Sequence, residues 1–132
     1  MVQILTPLET LTEDSTTAVS SPAAETAILT TTLTTAGGTR PVRIKVTLNI
    51  TEGTSGTAYV VRCRQGSGTG GTVVGAALTT TLAAAASDQA VFVFRDSSGY
   101  LQSGQGQYTI TVAETSASVA GTVNDIDVTV EQ

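Results

Sequence analysis

Chemistry needs particular side chains at particular spacings, and this chain of 132 residues holds few of them. It contains no histidine, which removes Ser-His-Asp and Cys-His nucleophiles and the common zinc sites. A Ser-Lys pair would have to use Lys45, the single lysine. Lys45 sits inside a run of alternating residues, where a strand lysine faces solvent. Residues Gly66-Ser67-Gly68-Thr69-Gly70-Gly71 fit G-x-G-x-x-G. A dinucleotide site needs a helix after that loop. Val73 onward is β-like, so the glycines read as a hairpin loop. Asp88, Asp96, Asp125 and Asp127 are the carboxylates that could gather around a hard cation. Asp125 and Asp127 share one strand face at about 7 Å. No EF-hand spacing accompanies them, and they read as a solvated acidic face. Cys63 falls on the apolar side of its strand and reads as a buried thiol. Asn49-Ile50-Thr51 is a glycosylation sequon, taken as coincidental because no export signal is read. The expectation is therefore a non-enzymatic chain with no catalytic residue, no cofactor and no metal.

Composition narrows the class further. Charged residues make up 13% of the chain and apolar residues 40%, with a net charge of −5. A disordered chain is low in hydrophobicity and high in charge, so one folded domain is expected. Polarity comes instead from 26 threonines, which are β-branched and favour extended backbone. The acidic balance argues against a nucleic-acid partner, which would require clustered cations to displace counterions. Arg40, Arg43, Lys45, Arg62 and Arg64 do cluster along the chain, and read as a polar strand face. One cysteine allows no intrachain disulfide, which favours assembly in a reducing cytoplasm. The first residues lack the basic and apolar regions of a signal peptide. The apolar run Leu82 to Ala86 is far too short to span a membrane, so no membrane partner is expected.

The elements that would carry such a surface are strands. Val42, Ile44, Val46, Leu48 and Ile50 alternate strictly with polar residues, the period of a half-buried strand. Tyr59-Val61-Cys63, Tyr108-Ile110-Val112 and Ile126-Val128-Val130 repeat that pattern. Ala90 to Phe94 is continuously apolar and reads as a central strand buried on both sides. Ile28 to Leu33 and Thr72 to Leu78 are weaker strands, and Leu82 to Ala86 has room for one helical turn. Gly-rich and Ser-rich connectors separate them. About eight strands at short spacing predict an all-β, antiparallel β-sandwich, jelly-roll-like. Four of the five aromatic rings read as core-facing. Tyr100 is left as the candidate for stacking on a sugar. A core so poor in aromatics predicts self-association.

Residues 1–24 stand apart from the domain expected over 25–132. They carry Val2, Ile4, Leu5, Leu8 and Leu11 without a sustained period and end in Ser20-Ser21-Pro22. They read as an extended N-terminal arm with apolar points that could add to a neighbour's sheet edge, an ordinary loose terminus being the alternative.

From Glu25 to Glu131 the pattern resembles small tailed-bacteriophage virion proteins of the decoration or cement type. The resemblance is carried by Arg40-Pro41-Val42-Arg43-Ile44-Lys45-Val46, Val60-Val61-Arg62-Cys63-Arg64-Gln65-Gly66, Gly71-Thr72-Val73-Val74-Gly75 and Gly106-Gln107-Tyr108-Thr109-Ile110-Thr111-Val112. It implies a jelly-roll-like homotrimer on the capsid surface, assembled in the host cytoplasm, with the major capsid protein as partner, and it assigns Val2, Ile4, Leu5, Leu8 and Leu11 of the arm to contact with the capsid or a neighbouring subunit. A phage tail or fibre component and a carbohydrate-binding β-sandwich module are the alternatives.

Overall fold

The computed structural model describes residues 10–15, 19–20, 24–32, 41–51, 57–83, 86–98, 100, 106–115 and 121–131. Among the described residues nine strands form: β1 (Thr10–Ser15), β2 (Val19–Ser20), β3 (Thr26–Thr32), β4 (Val42–Thr51), β5 (Thr57–Gln65), β6 (Leu78–Leu82), β7 (Ser87–Asp96), β8 (Gln107–Glu114) and β9 (Thr122–Glu131). No helix of the described residues is long and apolar enough to cross a membrane.

The strands make two antiparallel sheets, ordered β1-β9-β4-β7, with β2 also on β9, and β3-β8-β5-β6. If β1 and β2 are taken as one interrupted strand, the pairing is nested. β1/β2 lies on β9, β3 on β8, β4 on β7 and β5 on β6. The first strand thus pairs with the last, the second with the last but one, and so inward. That nesting is the strand order of a jelly roll, and the expected β-sandwich is the observed fold.

Alternation explains the core. Val42, Ile44, Val46, Leu48 and Ile50 of β4 point inward, as do Tyr59, Val61 and Cys63 of β5, Phe92 and Phe94 of β7, Tyr108, Ile110 and Val112 of β8, and Ile126, Val128 and Val130 of β9. Burying such side chains contributes roughly 1.5–3 kcal/mol each against leaving them in water. Val74, Leu82 and Val123 complete the cluster.

Two local expectations are corrected. Ala90 to Phe94 is not a central strand, because among the described residues β7 is the edge of its sheet and Val91 and Val93 stand 55% and 46% exposed. A run of apolar residues records hydrophobicity on both faces but not what covers each face. Thr72 to Leu78 is mostly connector, reduced to a bridge between Arg64 and Val73. Leu82 ends strand β6 and is buried, and Ala86 N donates to Ala83 O at 3.2 Å beyond it.

The arm also differs from expectation. Val2, Ile4, Leu5 and Leu8 lie outside the described residues. Leu11 lies in β1, opposite Val130, and the whole of β1 pairs with β9 of the chain's own sheet. The physical reason is the nesting: without β1, the last strand would have no partner on that side, and its backbone groups would be open. Sequence period could not reveal this, because Leu11, Glu13 and Ser15, the residues opposite Val130, Val128 and Ile126, mix apolar and charged types.

Candidate functional site

The residues singled out for chemistry do not converge. Arg43 and Lys45 project from the outer face of β4, while Arg62 and Arg64 lie on the outer side of β5, in the other sheet. These four cations are thus divided between opposite sides of the sandwich, and Arg40 lies outside the described residues. Asp88 accepts from Gln89 N at 2.8 Å, Asp125 accepts from the Asn49 amide, and Asp96 is buried elsewhere. Among the described residues no three His, Cys, Asp or Glu side chains gather as metal ligands. The sequon Asn49 lies mid-strand in β4 with its side-chain amide donated to Asp125. The glycine loop joins β5 to the Val73 bridge as a hairpin. Gly66 and Gly68 there have φ of 85° and 78°, the left-handed region that glycine enters without a Cβ penalty. Burial, helped by the nearby Asp96 charge, pushes the Cys63 thiol up to about 12, leaving it unreactive near neutrality.

Each open end of the sandwich is closed by a tyrosine and a carboxylate. At one end Asp96 Oδ2 accepts from the Tyr108 hydroxyl at 2.8 Å and from Gln65 Nε2 at 3.1 Å. Its Oδ1 accepts from Ser98 N at 2.9 Å and Ser98 Oγ at 2.6 Å. Burial raises the Asp96 pKa, but these donors together outweigh it and hold the carboxyl below its ordinary value. Tyr108 is raised by burial and by the same carboxylate, so it stays a donor. Tyr100 meets Tyr108 edge-on at 5.3 Å. The ring expected to be free for a sugar is therefore half-buried against the cluster.

At the other end Glu114 Oε1 accepts from Gly121 N at 2.9 Å. Glu114 is buried and stands opposite Tyr59 in the β5–β8 register. A Cβ on Gly121 would overlap the Tyr59 hydroxyl and Glu114 Oε1, so the close approach requires glycine.

A third polar cluster covers the outer face of the β3-β8-β5-β6 sheet. Arg64 donates from Nε to Glu25 Oε1 at 2.6 Å and from Nη2 to Oε2 at 2.8 Å. It also donates from Nη1 to Gly71 O at 2.7 Å. Thr111 Oγ1 donates to Glu25 Oε1 at 2.6 Å. The Arg64 guanidinium, opposed by burial and aided by Thr111, holds the Glu25 carboxyl down at about 2. Thr109 beside it donates to Gly66 O at 2.7 Å and shares a 2.9 Å hydrogen bond with Thr30. Thr109 and Thr111 are both fully buried, although strand alternation alone assigns them to solvent.

Among the described residues, the outer face of the β1-β9-β4-β7 sheet is open along β4, β7 and β9. Along β7 it presents Gln89, Val91, Val93 and Arg95, with Thr47 beside Val91, Lys45 beside Val93 and Arg43 beside Arg95. Toward β9 it turns acidic at Asp125 and Asp127, and Arg43 approaches Glu131 at 3.7 Å. Val91 and Val93 are the exposed large apolar side chains of the described residues. The flanking apolar residues make the whole run read as central; the odd-numbered parity of Val91 and Val93, opposite to Phe92 and Phe94, is the signal that separates them.

Such a frame defines a jelly-roll β-sandwich. No protein-family model matches the chain, and no curated protein matches it in sequence. Among solved structures, one described as "Bacillus endospore appendages form a novel family of disulfide-linked pili" aligns over 99% of this chain and 94% of that chain, at 15% identity and TM-score 0.48. Another, "Structure of infectious bursal disease virus Gx strain", aligns over 95% of this chain and 36% of that chain, at 11% identity and TM-score 0.44. The chain thus spans about a third of the second protein's length. Likenesses this distant carry no functional assignment.

Proposed function

We propose that this chain is a non-enzymatic structural protein of a tailed-phage particle, bound to the capsid surface as a decoration protein that bridges shell subunits. The observation that supports this reading is the nested strand order, a frame used by viral capsid domains among others. The support is an analogy of fold joined to the sequence resemblance, because fold alone does not define function. In this reading the major capsid protein is the partner and the virion surface is the location. The buried polar clusters at both ends hold the frame rigid, and the outer faces make the contacts. A sugar-binding module is less well supported, since Tyr100, the ring read as free to stack, is half-buried beside Tyr108. The test is mass spectrometry of gradient-purified virions produced from the genome that encodes the chain. The protein is expected at a fixed ratio to the major capsid protein. Its absence from virions, with presence in the soluble lysate, overturns the proposal.

A further inference from the structure

The sandwich has four sheet edges, and three are guarded. An unpaired strand edge is a template for another chain, and proteins blunt it with short strands, bulges, charges or covering segments. At β1 and β2 the edge is interrupted. Ser15 opposes Ile126 and Val19 opposes Val123, so the register moves by one residue between them. At β3 the register shifts between Ala27 and Leu29. At β6 the strand has only 5 residues. The remaining edge, β7, is 10 residues long and pairs with β4 from Ser87 to Asp96 without a shift. It holds neither glycine nor proline. Both exposed valines of the described residues sit in its middle. Among the described residues no strand pairs with its other side.

We propose that β7 is a self-association edge, pairing antiparallel with β7 of a second copy about a twofold axis at Val91. A second copy fits because the strand is compatible with itself, and charge together with the length paired sets the register. A register centred on Phe92 would set Asp88 opposite Asp96 of the second copy, and like charges directly opposite destabilise a strand pair. Centred on Val91, every charged residue meets an uncharged one: Asp88 meets Phe94, and Arg95 meets Ser87. Val93 meets Gln89, and the two Val91 side chains meet each other. Nearly the whole strand, Ser87 to Arg95, is used, and the two β1-β9-β4-β7 sheets become one continuous sheet. The contact is isologous and closes at two copies, so the edge is consumed and no filament follows. This goes beyond the virion reading, does not depend on which particle the chain joins, and stands in place of the homotrimer that the resemblance implies.

The test uses the full chain. Opposed residues of an antiparallel pair lie about 4.5–5.5 Å apart between Cα atoms, within disulfide reach. Two Val93 positions would lie about 13 Å apart along the strands, beyond it. The native Cys63 is fully buried and does not compete. Sedimentation of the wild-type chain at micromolar concentration is expected to give a dimer. Under mild oxidation Val91→Cys is expected to become a covalent dimer, and Val93→Cys to remain at least tenfold less cross-linked. Val91→Lys, at an exposed position, is expected to sediment as a folded monomer with unchanged circular dichroism. A wild-type monomer or trimer, or equal cross-linking of the two cysteine variants, overturns the proposal. If Val91→Lys also loses its β spectrum, the cysteine pair and the wild-type sedimentation still decide it.

Discussion

The Tyr108 hydroxyl donates to Asp96 Oδ2 at 2.8 Å, tying the start of β8 in one sheet to the end of β7 in the other. Both residues are buried, at 0% and 5% exposure. Removing the hydroxyl leaves a buried carboxylate short of a donor. Tyr108→Phe is expected to destabilise the fold by roughly 1–3 kcal/mol, read from the urea midpoint. Ser98→Ala is expected to cost less, because Ser98 N remains as a donor to Oδ1. An unchanged midpoint for Tyr108→Phe would show that the clasp does not hold the two sheets.

Acid should loosen the Glu25–Arg64 cluster. The folded pKa of Glu25 is about 2 against an ordinary 4.5. A carboxyl depressed in the folded state stabilises it above the unfolded pKa, and that contribution is lost as pH falls through the folded pKa. Wild-type stability is therefore expected to decline between about pH 4.5 and 2. Glu25→Gln is expected to start lower at neutral pH and to decline less steeply over that window. Parallel curves for the two proteins would remove Glu25 from the account.

Two neighbours on β8 test the covering of the outer sheet face. Ile110→Ala is expected to destabilise by roughly 2–5 kcal/mol, since it leaves a cavity between the sheets. Strand alternation alone gives Thr109→Ala little effect. The buried Thr109 hydroxyl, bonded to Gly66 O and Thr30, gives instead a loss of about 1 kcal/mol. Chemical denaturation of both variants, with Lys45→Ala as an exposed control, separates the two views.

Deleting residues 1–20 removes β1 and β2 and opens the free side of β9. A merely attached arm would leave the melt unchanged. The nested pairing predicts a lower midpoint, by about 0.5–1.5 kcal/mol for each ladder hydrogen bond lost. Faster amide exchange is expected along Thr122–Glu131 than in the full chain. Identical melting and exchange would return the segment to the status of an arm.

The legible parts of the fold were those set by local period. Val42 to Ile50 and Tyr108 to Val112 declare their inward faces through alternation. The same parity carried past the apolar residues assigns Asp96 after Phe94 and Glu114 after Val112 to the interior, and both are buried there. Charge had masked that signal. What period could not carry was non-local. Thr109 and Thr111 are buried because the Gly66 hairpin crosses over the first and the Glu25–Arg64 pair over the second. Val91 is exposed because, among the described residues, nothing packs on the outer face of β7. Leu11 gains its partner from the far end of the chain. Of the residues expected to contact a capsid or neighbour, only Leu11 falls among the described ones. The open β7 edge emerged from sheet order, which no short window of sequence contains.

Binding to the shell tests the central reading most directly. Purified chain would be mixed with empty capsids assembled from the major capsid protein of the same genome, and the mixture pelleted through a sucrose cushion. The structural reading predicts saturable co-sedimentation at a fixed number of copies per capsid subunit, with none pelleting alone. Chain that stays in the supernatant at every ratio, while the capsids pellet intact, would contradict it.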